Sequence, residues 1–218
     1  TINAANNTTA TPCRGGAIRR QGGASATESW GGVTLKNLTF TGALGGDSGN
    51  VLASDAVVHN GFRIENCAFT SNGGSAGLLL GSATNNEDTP CGGFRGFTNI
   101  VIQDSDFTLN TGLGGLWLGC VDGGTITRST FNSNGPAPYP AACGDGDGLH
   151  VGGWINGTIT DSTAHDNCED NWDFSGNGSA VCDAPVHDIT TDRIVAYNAG
   201  NANLSHNHCN YNITHKNA

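Results

Sequence analysis

The chain repeats itself, and the repeat is not helical. A β-prone run, a small or polar residue, an aromatic residue and then an Asn recur as VTLKNLTFTG, FRIENCAFTSN, IVIQDSDFTLN, GTITRSTFNSN and GTITDSTAHDN, with weaker copies ITTDRIVAYN and YNITHKNA. The key apolar positions are Leu35, Ile64, Ile102, Ile126 and Ile159, then Thr191 and Ile213, spaced by 29, 38, 24, 33, 32 and 22 residues. A helical repeat would carry a period near 3.6, which is missing. A short unit with insertions of variable length is the mark of a solenoid whose coils contribute short strands and uneven loops.

A second strand register follows the first, as AGLLLG, GGLWLG, DGLHVGG, DNWDFSG and NANLSHN. Side chains alternate across a strand, so Leu78, Leu116, Leu149, Trp172 and Leu204 form an inward column. Their neighbours Leu79, Trp117, His150, Asp173 and Ser205 face outward. Between the registers, Asn72, Asn110, Asn134 and Asn167 each fall eight residues after the key apolar position. Stacked asparagines can satisfy the polar groups of such a turn from coil to coil. The reading is an all-β, single-stranded parallel β-helix of about seven coils forming one domain over residues 1–218. A right-handed sense is expected from the habit of such folds. A β-sandwich is the alternative, but it gives the asparagine column no role.

Composition narrows the function. Nine Lys and Arg against nineteen Asp and Glu leave a net charge of −10, too few cations to neutralise a nucleic-acid backbone. No stretch of about 18 apolar residues suggests a membrane span. Eight cysteines without a C-x-x-C pair favour up to four disulfides and a secreted, extracellular protein over a zinc module. Their placement in the insertions suggests Cys168–Cys182 and Cys120–Cys143 as pairs. Sequons at Asn6, Asn7, Asn37, Asn156, Asn177, Asn203 and Asn212 would make it a glycoprotein in a host that glycosylates.

The acidic residues concentrate in CGDGDGLHVGG and, one coil on, in CEDNWDFSG. Overlaying the two places Asp147 on Asp170, Leu149 on Trp172 and His150 on Asp173, with Asp145 and Glu169 flanking. Adjacent strands lie about 4.8 Å apart, so these carboxylates converge and should repel without a cation. Ca²⁺, which takes six to eight oxygen ligands, is the expected ion, held by Asp145, Asp147, Glu169, Asp170 and Asp173. Asp166, a turn earlier, is a weaker candidate. Two alternatives stand beside this one: solvated turn acids, and a zinc or iron site using His150 and His165.

The stretch GDGDGLHV…HDNCEDNWDF resembles the calcium-binding coils of pectate lyases of polysaccharide-lyase family nine. In that family an Asp is followed about 24 residues later by D-D-x-x-D. Here Asp145 is followed by Glu169, Asp170 and Asp173 at +24, +25 and +28. The resemblance implies a right-handed β-helix and calcium-assisted β-elimination from an acidic polysaccharide. It also implies a Lys base on a later coil, where NANLSHN carries Ser205 instead. His150, Arg193 and His206 are then the candidate bases, and Trp117 the candidate sugar-stacking residue. A second class of function is a non-enzymatic structural or adhesive β-helix that self-associates end to end through its open strand edges.

Overall fold

The computed structural model describes residues 2–3, 18–19, 29–43, 51–53, 58–73, 76–80, 96–112, 114–135, 146–176, 185–207 and 209–218. These residues form strands and turns with no helix among them. The strands stack in parallel into three sheets of eight, seven and seven members. Each coil visits the sheets in turn, so every strand pairs with its counterpart in the coils before and after. The chain is a parallel β-helix, as its repeat implied.

Sheet one runs from Thr34–Lys36 to Asn210–Lys216. Its inward column is Leu35, Ile64, Ile102, Ile126, Ile159 and Thr191, in direct register. The last position differs from expectation: His215 pairs with Thr191, and Ile213 pairs with Ile189 two residues earlier. Thr191 Oγ1 and His215 Nδ1 lie 2.7 Å apart, so polar groups replace aliphatic ones at these two coils.

Sheet two contributes Phe40, Phe69, Phe107 and Phe131, all fully buried. Successive rings lie parallel with centroids 4.7, 5.1 and 4.9 Å apart. The strand repeat brings identical rings to stacking distance, and ring contact of this kind adds to burial. Sheet three carries the expected column: Leu78, Leu116, Leu149, Trp172 and Leu204 are in register. All but Leu204 are fully buried. Trp154 is also fully buried, its indole N–H donating to the Gly123 carbonyl at 3.3 Å, rather than packing under a surface loop.

Two polar columns close the turns. Between sheets two and three, the Nδ2 groups of Asn72, Asn110 and Asn134 each donate to Oδ1 of the next asparagine at 3.0 Å. The backbone amides of the same residues donate to the same oxygens at 3.1–3.2 Å. Between sheets one and two, the amides of Cys67, Ser105 and Ser129 donate to the hydroxyls of Ser105, Ser129 and Ser162. That serine column was not anticipated. Cys67 begins it as a buried free thiol, which limits eight cysteines to three disulfides. Cys120, Cys168 and Cys209 are disulfide-bonded. The pairs suggested from sequence involve Cys143 and Cys182, which lie outside the described residues.

The asparagine ladder explains three glycines. A Cβ on Gly77, Gly115 or Gly148 would lie 2.5, 2.8 or 2.6 Å from the Nδ2 of Asn110, Asn134 or Asn167. At Gly148 it would also lie 2.5 Å from the Asn171 carbonyl oxygen. Gly148→Ala should therefore destabilise the fold by at least about 1–3 kcal/mol, as overpacking does. Gly152→Ala, whose nearest contact would be the edge of the Trp117 ring at 3.2 Å, should cost less. Denaturant unfolding of the two variants side by side checks the order.

Burial raises the Cys67 thiol above its usual range, and the thiolate is the reactive form. Alkylation of the native protein should therefore leave Cys67 unmodified, and alkylation after unfolding without reductant should label it. Peptide mass spectrometry reads both outcomes. Labelling in the native state would contradict its placement.

Candidate functional site

Sheet three places the acidic coils next to each other. The strand Asp147–Val151 pairs with Gly114–Leu118 before it and Trp172–Phe174 after it, with Trp117 opposite His150 and His150 opposite Asp173. Alternation sends Trp117, His150 and Asp173 to the outer face, as expected. They are nevertheless buried, at 2, 4 and 4 % exposure. This outer face is therefore enclosed rather than solvated at these coils, and Leu79 and Trp117 join Ala76 in a second apolar cluster.

Inside that enclosure three side chains meet. His150 Nδ1 lies 3.0 Å from Asp147 Oδ2 and 3.0 Å from Asp173 Oδ2. The three groups together have ligand atoms within 4.8 Å of one another. The other contacts of each carboxylate orient it. Asp147 Oδ1 accepts the Asp170 amide at 2.9 Å. Asp173 accepts the Ser175 hydroxyl on Oδ2 and the Asn207 side-chain amide on Oδ1 at 3.4 Å. The Trp117 ring stacks nearly parallel to the His150 ring, with centroids 6.1 Å apart.

The electrostatics follow from burial. Desolvation raises the Asp147 carboxyl to about 6 in spite of the imidazole beside it. For His150, desolvation pulls the other way, but hydrogen bonds and charge from Asp147 and Asp173 outweigh it and hold the ring at about 10. At neutral pH the His150 ring is thus an imidazolium, set between Asp147 and Asp173. The repulsion expected between the acids is offset by a histidine.

The remaining sequence candidates are placed as follows. Asp170 is buried and its pKa is raised by desolvation, but its Oδ1 accepts the Ala202 amide at 2.7 Å. It caps the next coil just as Asp147 caps its own successor. Glu169 is half-buried beside it and is not one of the three converging groups. Asp145 lies outside the described residues. Asp166 sits at the corner after sheet two, paired with His165 Nδ1 at 2.7 Å. His165 stacks on Tyr197 and does not approach His150. Trp117 is buried and stacks on His150. Arg193 occupies the corner between sheets one and two, forked onto Asp161 at 2.6 and 2.9 Å and paired with Asp192. His206 is in register with Phe174 and stacks on it, so it faces the opposite side of the strand from Asp173. Its Nε2 is 3.0 Å from Nε2 of His215, and desolvation lowers both rings. Of the three candidate bases, only His150 meets the acids.

Calcium can be judged from the donor set. Ca²⁺ takes six to eight oxygens, whereas the converging atoms are two carboxylate oxygens around a ring nitrogen. Asp170 is committed to a backbone amide. Among the described residues the set falls short of six oxygens, and Asp145, a further expected ligand, lies outside them. Ser175 and Asn207 were missed, although the D-F-S spacing puts Ser175 on the same strand face as Asp173.

Among the described residues, no helix is long and apolar enough to cross a membrane. Comparison of the chain with protein-family models, with curated proteins and with solved structures finds no match. Fold and site together define a parallel β-helix with an enclosed Asp–His–Asp cluster on the outer face of its third sheet.

The raised histidine makes stability depend on pH. A group held above its unfolded value, here about 10 against about 6.5, stabilises the fold fully below the lower value. That contribution is lost as pH rises through the higher one. The melting temperature should therefore fall between about pH 6.5 and pH 10, and this fall should be shallower in His150→Gln. Parallel melting curves across that window check it, and equal slopes would contradict the ion cluster.

Proposed function

We propose that the protein is an extracellular β-helix that acts on an acidic polysaccharide by β-elimination, with the Asp147–His150–Asp173 cluster as its reactive centre. The observation that carries this reading is the placement of His150 Nδ1 at equal distance from two carboxylates of adjacent coils. Perturbed, convergent titratable groups of this kind concentrate at functional sites. The cluster also lies in the segment that resembles the pectate-lyase coils.

In β-elimination the C–H bond next to the uronate carboxylate gives its proton to a base. Its electrons form the new double bond, and the glycosidic oxygen leaves and is protonated. His150 is the described group that can take this proton, and it does so only in its neutral form, which its raised pKa of about 10 places in alkaline solution. Asp147 and Asp173 hold its ring and stabilise its charged form, the role a carboxylate plays toward a catalytic histidine. Asp170 and Ser205 shape the coil above. The resemblance implies a calcium ion held with Asp145, which lies outside the described residues, and no step is routed through it.

A non-enzymatic, adhesive or self-associating β-helix is the second reading, favoured by a separate observation: Ser205 stands where the resemblance implies a Lys base.

One assay separates the two. Incubation with polygalacturonate should yield the unsaturated uronate, read by its ultraviolet absorbance. His150→Gln should lower the rate by about 10²–10⁴-fold, the usual share of general acid–base catalysis. Absence of product from polygalacturonate, alginate and other polyuronates, together with concentration-dependent assembly in light scattering, would favour the adhesive reading.

A further inference from the structure

The geometry points to a divalent transition-metal site, of the zinc class, formed by Asp147 Oδ2, His150 Nδ1 and Asp173 Oδ2. These atoms lie within 4.8 Å of one another, and their side chains are only 3, 6 and 6 % exposed. Imidazole with carboxylates suits zinc, nickel, copper or iron, whereas calcium is selected by all-oxygen sets.

Three features make the set more than a local accumulation of acids. First, carboxylate oxygens from two adjacent coils each lie 3.0 Å from one ring nitrogen, so three ligand atoms of types that bind divalent ions face one point. Second, the orienting contacts come from outside the set: the Asp170 amide on Asp147 Oδ1 and the Asn207 side chain on Asp173 Oδ1. Outer partners of this kind hold ligands for metal. Third, Trp117 is 2 % exposed and its ring lies over that of His150, yet its indole N–H finds no acceptor among the described residues. Three protein ligands leave a coordination position for water, as open zinc sites do. A water on the ion would give the enclosed space an acceptor.

The exchange balances simply. The imidazolium releases its Nδ1 proton to solvent, keeps its Nε2 proton, and the nitrogen lone pair and one oxygen of each carboxylate bind the ion. One proton leaves for each ion bound. An ion seated there removes Nδ1 from proton transfer, so metal-bound and proton-bound clusters are alternative states of one site. The inference stands whether or not the protein is a lyase.

The test is calorimetric titration of the dialysed full chain with Zn²⁺ and separately with Ca²⁺, in buffers of different ionisation enthalpy. Expected are one Zn²⁺ per chain, release of one proton, and Zn²⁺ affinity above that for Ca²⁺. Asp173→Asn and His150→Gln should abolish binding, and Asn207→Ala should weaken it about 10–100-fold. His215→Gln should retain it, which separates this site from the His206–His215 pair. Should a variant fail to fold, Co²⁺ absorption of the wild type still decides, since nitrogen and oxygen ligands give no thiolate charge-transfer band. Failure of Zn²⁺ to bind, tighter binding of Ca²⁺, a thiolate band, or binding unchanged in both His150→Gln and Asp173→Asn would overturn the assignment. Absence of unsaturated product in the polygalacturonate assay would count against the lyase reading alone.

Discussion

At the turn between sheets two and three, each asparagine amide group donates to the next coil while its oxygen accepts from the previous one. That chain of bonds runs through the interior side of the turn, where water cannot substitute and an unmet donor is costly. It fixes the register between coils before any side chain on the sheets is considered. The glycines at 77, 115 and 148 follow from it, because no Cβ fits beside the ladder. At the next coil the glycine position is taken by Asn171, whose Oδ1 accepts from Asn167 and whose Nδ2 donates to Asn203. The ladder turns outward there by one step rather than stopping.

The candidate site is a consequence of this register. Because the ladder holds Gly148 opposite Asn171, the strands that follow must align His150 with Asp173. A slip of one residue would invert every side chain across the sheet, placing Leu149 and Trp172 outside and breaking the interior column. The same packing that buries Trp172 therefore brings the imidazole to the carboxylate. Structural and chemical demands on the D-G-L-H-V stretch are separable by residue: Gly148, Leu149 and Val151 serve the interior, Asp147 and His150 the outer face.

Most of the fold was legible from the sequence because the interior is periodic. The inward column of sheet three and the asparagine ladder were both readable from spacing alone. The last coil was misaligned by two residues because Ile213 looks more like a core residue than His215 does. At that coil burial is incomplete and the aliphatic signature that guides alignment disappears. The serine column was hidden for another reason: serine is common in turns, and Cys67 interrupts its pattern. At the site, alternation gave the correct face for Trp117, His150 and Asp173 but not their enclosure. Exposure depends on what lies over a face, which the strand pattern does not encode.

Counting carboxylates alone does not give their geometry. Five acids in two coils suggested an oxygen cage, but Asp147 and Asp170 each spend one oxygen on the amide of the following coil. Asp at such positions is turn chemistry, satisfying backbone donors. Among the described acids, the second oxygen of Asp147 and the side chain of Asp173 converge, and they do so on a nitrogen. Turn capping and convergence on His150 are therefore both served by Asp147, through different oxygens. What distinguishes this pair of coils from the others is His150, which stands where the preceding coils carry Leu79 and Trp117. Replacing an apolar outer residue by an imidazole at one coil, and by a carboxylate at the next, converts a packing column into a charged cluster without altering the ladder beneath it. A β-helix can acquire chemistry in this way one coil at a time, since each outer position is independent of the interior that sets its register.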